Sequence, residues 1–587
     1  MLKLLKNLNK RDYIYVFISA GLIVFQVWLE LKMPDYMSNI TQLVQTRGAS
    51  INDILREGSY MLLCAFGSLV SAFIVGYFTS TIAASFSYRT RGKLFRKVED
   101  ISTFEVKKFS PSSLITRTTN DITQIEFLIA MGLTLMIKAP ITAVWAVTKI
   151  LNKNIEWSIL TGVAVLVLLI TIGIIMMIVM PKFKIVQELM DKINMVMREN
   201  LSGIRVVRAF NAEKYQEDKF ENVNNTLTNQ QVFNQKAFNF LSPVMYLVMY
   251  FLTLGIYFIG AILINEANMG DKIVLFGNMI VFSSYAMQVI MSFLMLAMIF
   301  MMLPRASVSA KRINEVLDTP ISVNEGTVTM NNSDIKGCVE FKNVSFKYPD
   351  ADEYVLEDIS FKVNKGETIA FIGSTGSGKS TLINLIPRFY DATSGEILIN
   401  GIDVRDYSFE YLNNIIGYVP QKATLFSGNI LSNVSFGKNI DGKPSNKKIA
   451  DALRVSQASE FVSKLEDGEK SHIAQGGTNI SGGQKQRLSI ARTIARNPEI
   501  YIFDDSFSAL DYKTDSTLRR ELREYTKDAT VMIVAQRIGT ILNADKIVVL
   551  DNGKCVGVGT HNELMKKCKV YKEIALSQVS KEELENV

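Results

Sequence analysis

At 587 residues the chain is too long for one ordinary hydrophobic core, so at least two domains are expected. Hydrophobic residues at 48% against charged ones at 21% argue against a wholly soluble protein, because the apolar excess lies almost entirely before residue 304. The net charge of +7 calls for no nucleic-acid partner, since part of it flanks apolar stretches, and four cysteines without paired spacing imply neither a disulfide framework nor a zinc site.

In chain order, Lys3, Lys6, Lys10 and Arg11 precede a first apolar stretch at residues 13–29, which lacks the small-residue cleavage site of a removable leader. Further stretches at 59–88, 127–148, 157–180, 237–265 and 273–304 carry no charge except Lys138. Each reaches the roughly 20 residues that cross a hydrocarbon core, so six transmembrane helices are expected. Arg89, Arg91, Lys93, Arg96 and Lys97 follow the second span and Arg305, Lys311 and Arg312 follow the sixth. The positive-inside rule then places both termini, and everything after the sixth span, on the cytoplasmic side of the cell membrane.

The outer loop at 152–156 is short, and Trp145 and Trp157 flank it as interfacial anchors. The inner connections at 89–121 and 181–236 are polar with helical periodicity, long enough to carry helices about 30–40 Å out of the bilayer. Lys138 sits mid-span beside Pro140. It reads either as a functional group on a substrate pathway or as a lysine snorkelling or paired with a carbonyl at a proline kink. Met287, Met291 and Met295, with Phe282, Phe293 and Phe300, form a soft surface on the sixth span. Such a surface either accepts varied apolar ligands or packs against lipid and neighbouring helices.

Composition shifts near Pro320, dividing the chain into a membrane domain at 1–320 and a cytoplasmic domain at 321–587. Val339, Glu340 and Phe341 open an alternating strand pattern. The apolar run Ile369, Ala370, Phe371 and Ile372 then leads into Gly373, Ser374, Thr375, Gly376, Ser377, Gly378, Lys379, Ser380 and Thr381. This is the G-x-x-x-x-G-K-[ST] spacing of a phosphate-binding loop between a strand and a helix. Glycines let backbone N–H groups surround phosphate oxygens, Lys379 adds positive charge, and Ser380 offers a hydroxyl to Mg²⁺. A nucleoside triphosphate is the expected ligand.

Residues 199–210, reading ENLSGIRVVRAF, and the stretch from Arg117 to Asp121 resemble the cytoplasmic loops of ABC exporters. The resemblance implies short coupling helices near 110–114 and 210–212, although Ser112 and Ser113 stand where the family commonly has a glycine. The motifs after the phosphate loop follow the family's order. Gln421 matches the Q-loop glutamine that reaches Mg²⁺ and the attacking water. Ser481, Gly482, Gly483 and Gln484 match the signature that faces ATP held by an opposing subunit, with Ile480 in place of the usual leucine. Asp504 ends the Walker B strand and holds the Mg²⁺ shell, Ser508, Ala509, Leu510 and Asp511 match the D-loop, and Tyr348 matches the tyrosine that stacks on adenine. The implied fold is an all-α six-helix transmembrane domain with long cytoplasmic helix extensions, followed by an α/β P-loop ATPase domain.

Two positions depart from the pattern. The family's glutamate after the Walker B aspartate is Asp505, and its switch histidine is Gln536. A carboxylate one methylene shorter sits about 1.5 Å back, and a 1 Å misplacement costs on the order of 100-fold in rate. An amide carries neither the charge nor the proton of an imidazole. Gln475 also replaces an acidic residue common before the signature. Nucleotide-holding residues kept beside altered catalytic ones resemble the degenerate half of a heterodimeric exporter. That implies a second, similar half-transporter as partner, a lipid bilayer, and a hydrophobic or amphipathic small molecule as cargo. A homodimeric lipid or peptide exporter and an ATP-gated regulatory or channel-type protein are the alternatives.

Overall fold

The computed structural model describes residues 2–46, 50–151, 155–330, 335–437 and 442–578. It divides into two compact units, Met1–Val98 with Ser110–Thr319, and Glu99–Phe109 with Pro320–Val587. Six helices of the first unit are long and apolar enough to span a membrane.

The first helix, Lys10–Gln45, begins at a capping box in which Asn9 and Asp12 satisfy each other's backbone N–H groups. The second covers Ile51–Asp100 and the third runs through Pro111–Leu151. Pro140 does not break the third helix; its irregularities are a break at Thr119, between Pro111–Thr118 and Asn120–Phe127, and a π-helical turn at Leu128–Gly132. The fourth, fifth and sixth helices are Ile155–Ala209, Glu213–Glu266 and Met269–Leu317. The fourth has 55 residues, which at 1.5 Å each is about 83 Å. Subtracting about 30 Å of hydrocarbon leaves roughly 50 Å outside it, more than the sequence pattern suggested.

The 152–156 loop expected between spans three and four lies outside the described residues as far as position 154. Trp157 is not an interfacial anchor. It is buried in the bundle core, its ring centroid 5.3 Å from that of Phe282. Burying so large a ring outweighs leaving it at a headgroup boundary. Trp145 packs half-buried against the same core. Outward-facing Phe73 and Met177 are about four-fifths exposed, as a lipid-solvated surface requires.

The turns between long helices also differ from expectation. At 210–212 there is only a tight reversal, with Asn211 at φ +51°, a left-handed residue ending one helix before Glu213 starts the next. The earlier connection holds two short helices: Thr103–Lys108, which belongs to the second unit, and Pro111–Thr118, which overlaps the expected 110–114 and belongs to the first. Phe104 packs on the second unit's core and Lys107 Nζ donates to Tyr390 Oη at 3.4 Å. Ser110 caps the helix Pro111–Thr118.

The second unit is built on a ten-stranded sheet. Strand Thr368–Gly373 lies between the parallel strands Lys546–Asp551 and Thr530–Val534, and the latter is followed by Ile500–Asp504 and Ile416–Val419, also parallel. Alternate side chains enter two cores: Ala370, Ile372, Tyr501 and Phe503 on one face, Ile369, Phe371, Ile500 and Ile502 on the other. Burial on both faces explains why these strands read as continuous apolar runs. It also aligns the strand ends at Gly373, Val419, Asp504 and Val534, where the loops carrying the motifs begin.

Candidate functional site

Strand Thr368–Gly373 leads through the phosphate loop into helix Lys379–Leu385. Gly373 admits no side chain, since a Cβ there would lie 2.1 Å from the Leu550 carbonyl oxygen. Gly378 has φ +93° and would press a Cβ to 2.7 Å from Leu356. Lys379 Nζ donates to the carbonyls of Gly373 and Ser374 at 2.9 and 2.7 Å and to Ser377 Oγ at 3.3 Å. Burial holds its ammonium below the usual lysine range, while Asp505 and Asp504 act in the opposite direction. Tyr348 meets the Walker helix through a 3.0 Å bond to Thr381 Oγ1, and its ring sits edge-on to Phe346 and Tyr390.

Asp504 and Asp505 follow each other at the end of the Walker B strand and face different partners. Asp504 Oδ1 accepts from Ser380 Oγ at 2.9 Å, and Oδ2 accepts from Tyr418 Oη at 3.4 Å. Burial raises its carboxyl above the ordinary aspartate value, against the lowering pull of the Ser380 and Tyr418 bonds. An all-oxygen set of hydroxyl and carboxylate fits a hard cation such as Mg²⁺. Among the described residues no cluster of three His, Cys, Asp or Glu side chains exists, so water and phosphate oxygens would supply the remaining ligands.

Asp505 adopts φ +46°, a left-handed conformation that aspartate tolerates better than most residues. Its Oδ2 accepts two amides at once, from Gln421 Nε2 at 3.0 Å and Gln536 Nε2 at 2.8 Å. The two altered positions are therefore in direct contact, with the Q-loop glutamine as the third member. Neither amide can take up a proton at neutral pH.

The signature lies apart from this cluster. Ser481 caps helix Gly482–Arg496, with Ser481 Oγ accepting from the Gln484 N–H and Gln484 Oε1 accepting from the Ser481 N–H. Ser481 and Gly482 are exposed, and a Cβ on Gly483 would lie 3.3 Å from the Ala509 carbonyl oxygen, so signature and D-loop abut. In the D-loop, Ser508 Oγ donates to the Asp505 carbonyl, Leu510 is buried, and Asp511 caps helix Tyr512–Tyr525. His472 is exposed, while His561 is buried at the start of helix His561–Lys567 with Nδ1 2.7 Å from Tyr571 Oη. Neither histidine has a bond to Asp505 or Gln536.

The membrane residues resolve differently. Lys138 pairs with the Glu30 carboxylate at 2.8 Å, not with a carbonyl. Glu30 Oε1 also accepts from Gln26 at 2.9 Å and Ser68 at 3.2 Å. Nearby in the chain, Asp35 joins Lys149 at 3.0 Å and Tyr285 Oη at 2.7 Å. Met287 and Met295 are half-buried and Met291 is exposed. Sequence reasoning missed Glu30 and Asp35 because they lie just past the first apolar stretch. It missed Tyr418 although it stands three residues before Gln421, because an aromatic in a buried strand gives no polar signal.

Residues 15–303 match the ABC transporter transmembrane region and residues 356–508 match the ABC transporter domain. An uncharacterized ABC transporter ATP-binding protein of Mycobacterium tuberculosis is 40% identical over 554 residues, covering 92% of this chain and 93% of the relative. An ATP-dependent lipid A-core flippase of Pseudomonas fluorescens is 31% identical over 510 residues, covering 86% and 82%. The solved structure of a bacterial Atm1-family ABC exporter with ATP bound superposes with a TM-score of 0.82 at 22% identity, covering 97% of this chain and 100% of that one. The chain belongs to the ABC transporter family, as an exporter-type half-transporter whose six-helix membrane region is fused to its ATP-binding domain.

Proposed function

We propose that this chain is the weakly hydrolysing half of a heterodimeric ATP-driven exporter. Its membrane domain, 1–320, moves a hydrophobic or amphipathic compound out of the cytoplasm or inner leaflet, with both termini and domain 321–587 cytoplasmic. An amphipathic cargo is supported by the relative named as a lipid A-core flippase.

In this reading the phosphate loop and Lys379 hold the triphosphate of ATP, Tyr348 abuts adenine, and Ser380, Asp504 and Gln421 hold Mg²⁺. Bound Mg²⁺ would neutralise phosphate charge. Lys379 turns from the loop carbonyls toward phosphate, a charge-assisted exchange that favours binding. Ser481, Gly482, Gly483 and Gln484 present helix-terminal N–H groups to ATP on the partner chain, whose own residues carry out faster hydrolysis.

The observation that carries the proposal is the pair of amides on Asp505 Oδ2. A general base needs a free lone pair aimed at water; the two amides occupy Asp505 Oδ2, leave only Oδ1 of a shortened carboxylate to reach water, and cannot take a proton onward. Losing a base costs roughly 100- to 10,000-fold, about 3 to 5 kcal/mol of barrier. The test is ATP turnover by this chain alone, reconstituted in nanodiscs, against its Asp505→Glu, Gln536→His double variant. We expect the double variant to be faster by at least about 10-fold; equal rates would remove the proposal.

A further inference from the structure

The last described helix, Lys569–Gln578, ends on the segment that carries Gln536. Tyr571, Ala575 and Gln578 fall at i, i+4 and i+7, hence on one face. Tyr571 and Ala575 are fully buried in the core beneath the parallel strands, and Tyr571 Oη is fixed by His561. Gln578, at the end of that anchored face, makes two backbone bonds. Its Nε2 donates to the Gln536 carbonyl at 2.7 Å, and its Oε1 accepts from the Ile538 N–H at 2.8 Å.

Between them Arg537 is extended, at φ −105° and ψ 128°. The carbonyl of one residue and the N–H two residues later then lie along one edge of the chain. A primary amide is matched to that edge because it offers a donor and an acceptor side by side. Among side chains only Gln and Asn can do this, and Gln has the longer reach.

We infer that Gln578 is a positioning residue for the hydrolytic site: its amide clasps the backbone on both sides of Arg537 and fixes where the side chain at position 536 points. The connection is continuous, from Gln578 to the Gln536 carbonyl at 2.7 Å and from Gln536 Nε2 to Asp505 Oδ2 at 2.8 Å. Position 536 leaves the buried strand Thr530–Val534 and is itself exposed, so the strand alone does not hold it. Gln578 is exposed too. Water therefore replaces its bonds at small cost in stability, whereas a shift of about 1 Å at a reacting centre costs up to 100-fold in rate. The clasp governs rate more than folding.

The experiment uses the full chain in nanodiscs, with Gln578→Ala and Gln578→Glu each made in the native sequence and in the Asp505→Glu, Gln536→His background. The Glu variant keeps the acceptor for the Ile538 N–H but loses the donor to the position-536 carbonyl. In the Asp505→Glu, Gln536→His background we expect both variants to lower kcat for ATP about 3- to 10-fold, with KM within about two-fold and Tm within about 1 °C. Hydrogen exchange at Ile538 should rise about 10-fold in the Ala variant and stay near native in the Glu variant. An unchanged kcat, or a fall in Tm with KM and kcat drifting together, overturns the inference. Because each comparison is a ratio within one background, it stands even if the two backgrounds hydrolyse ATP equally fast and the heterodimer proposal falls.

Discussion

Two carboxylates, one in each half of the molecule, are satisfied in opposite ways. Glu30, in the membrane half, receives Lys138 at 2.8 Å together with Gln26 and Ser68. Asp504, in the nucleotide half, receives two hydroxyls and, among the described residues, makes no ion pair. A carboxylate removed from water needs a positive counterpart. The membrane half builds that counterpart into the chain, so Glu30 ties the first helix to the second and third. The nucleotide half gives Asp504 only hydroxyl partners, and burial raises its carboxyl in spite of those bonds and of nearby Lys379.

The sharpest way to break this contrast is at Lys379, whose ammonium forms no ion pair among the described residues and bonds the loop carbonyls of Gly373 and Ser374. Lys379→Ala should weaken binding of a fluorescent ATP analogue by about 100-fold, roughly 3 kcal/mol, with no loss of folded protein. If lysine at this position were structural, as at Lys138, the variant would instead unfold at lower temperature.

For the membrane pair the reverse is expected. Glu30→Gln or Lys138→Met alone should each destabilise the detergent-solubilised chain by about 3 kcal/mol, because each strands one charge. The double variant should recover most of that loss in a thermal unfolding cycle. Additive losses would mean that the two residues do not act as a pair.

Asp504→Asn tests the other side. A carboxyl whose folded pKa is raised binds its proton more tightly folded than unfolded, so its contribution to stability grows as pH falls through the folded value. At neutral pH the ionised form is a cost. Asp504→Asn should therefore raise the unfolding temperature of the nucleotide domain, by about 1 kcal/mol or 2–4 °C, while abolishing Mg²⁺-dependent ATP binding. An unchanged or lower unfolding temperature contradicts the comparison.

The smallest effect is at His561, whose imidazole is lowered by burial. Below its ordinary value of 6.5 the unfolded chain takes up a proton that the folded chain refuses, so stability falls as pH drops from 7.5 to 5.5. His561→Asn should flatten that part of the unfolding profile by a few tenths of a kcal/mol, measured by thermal unfolding across this pH range.

The nucleotide half was the more legible region because its chemistry is local. The phosphate loop is one run from Gly373 to Thr381, and backbone geometry by itself calls for glycine at Gly373, Gly376 and Gly378. The six spans were equally readable, since lipid demands about 20 apolar residues regardless of neighbours. The short helix at Thr103–Lys108 was not anticipated because its six residues read as any polar turn; only the packing of Phe104 on the nucleotide unit distinguishes it.

What the sequence by itself determined, then, was everything encoded within a few adjacent residues or within one helix length: the spans, the strand-loop-helix that cradles phosphate, and the altered identities at Asp505 and Gln536. What tertiary structure alone decided were the meetings of distant positions. Glu30 and Lys138 are 108 residues apart, Gln421 and Asp505 are 84 apart, and Gln536 and Gln578 are 42 apart. Hydrogen bonds and ion pairs act only over about 3 Å, so a side chain's role depends on which other side chain the fold brings within that distance.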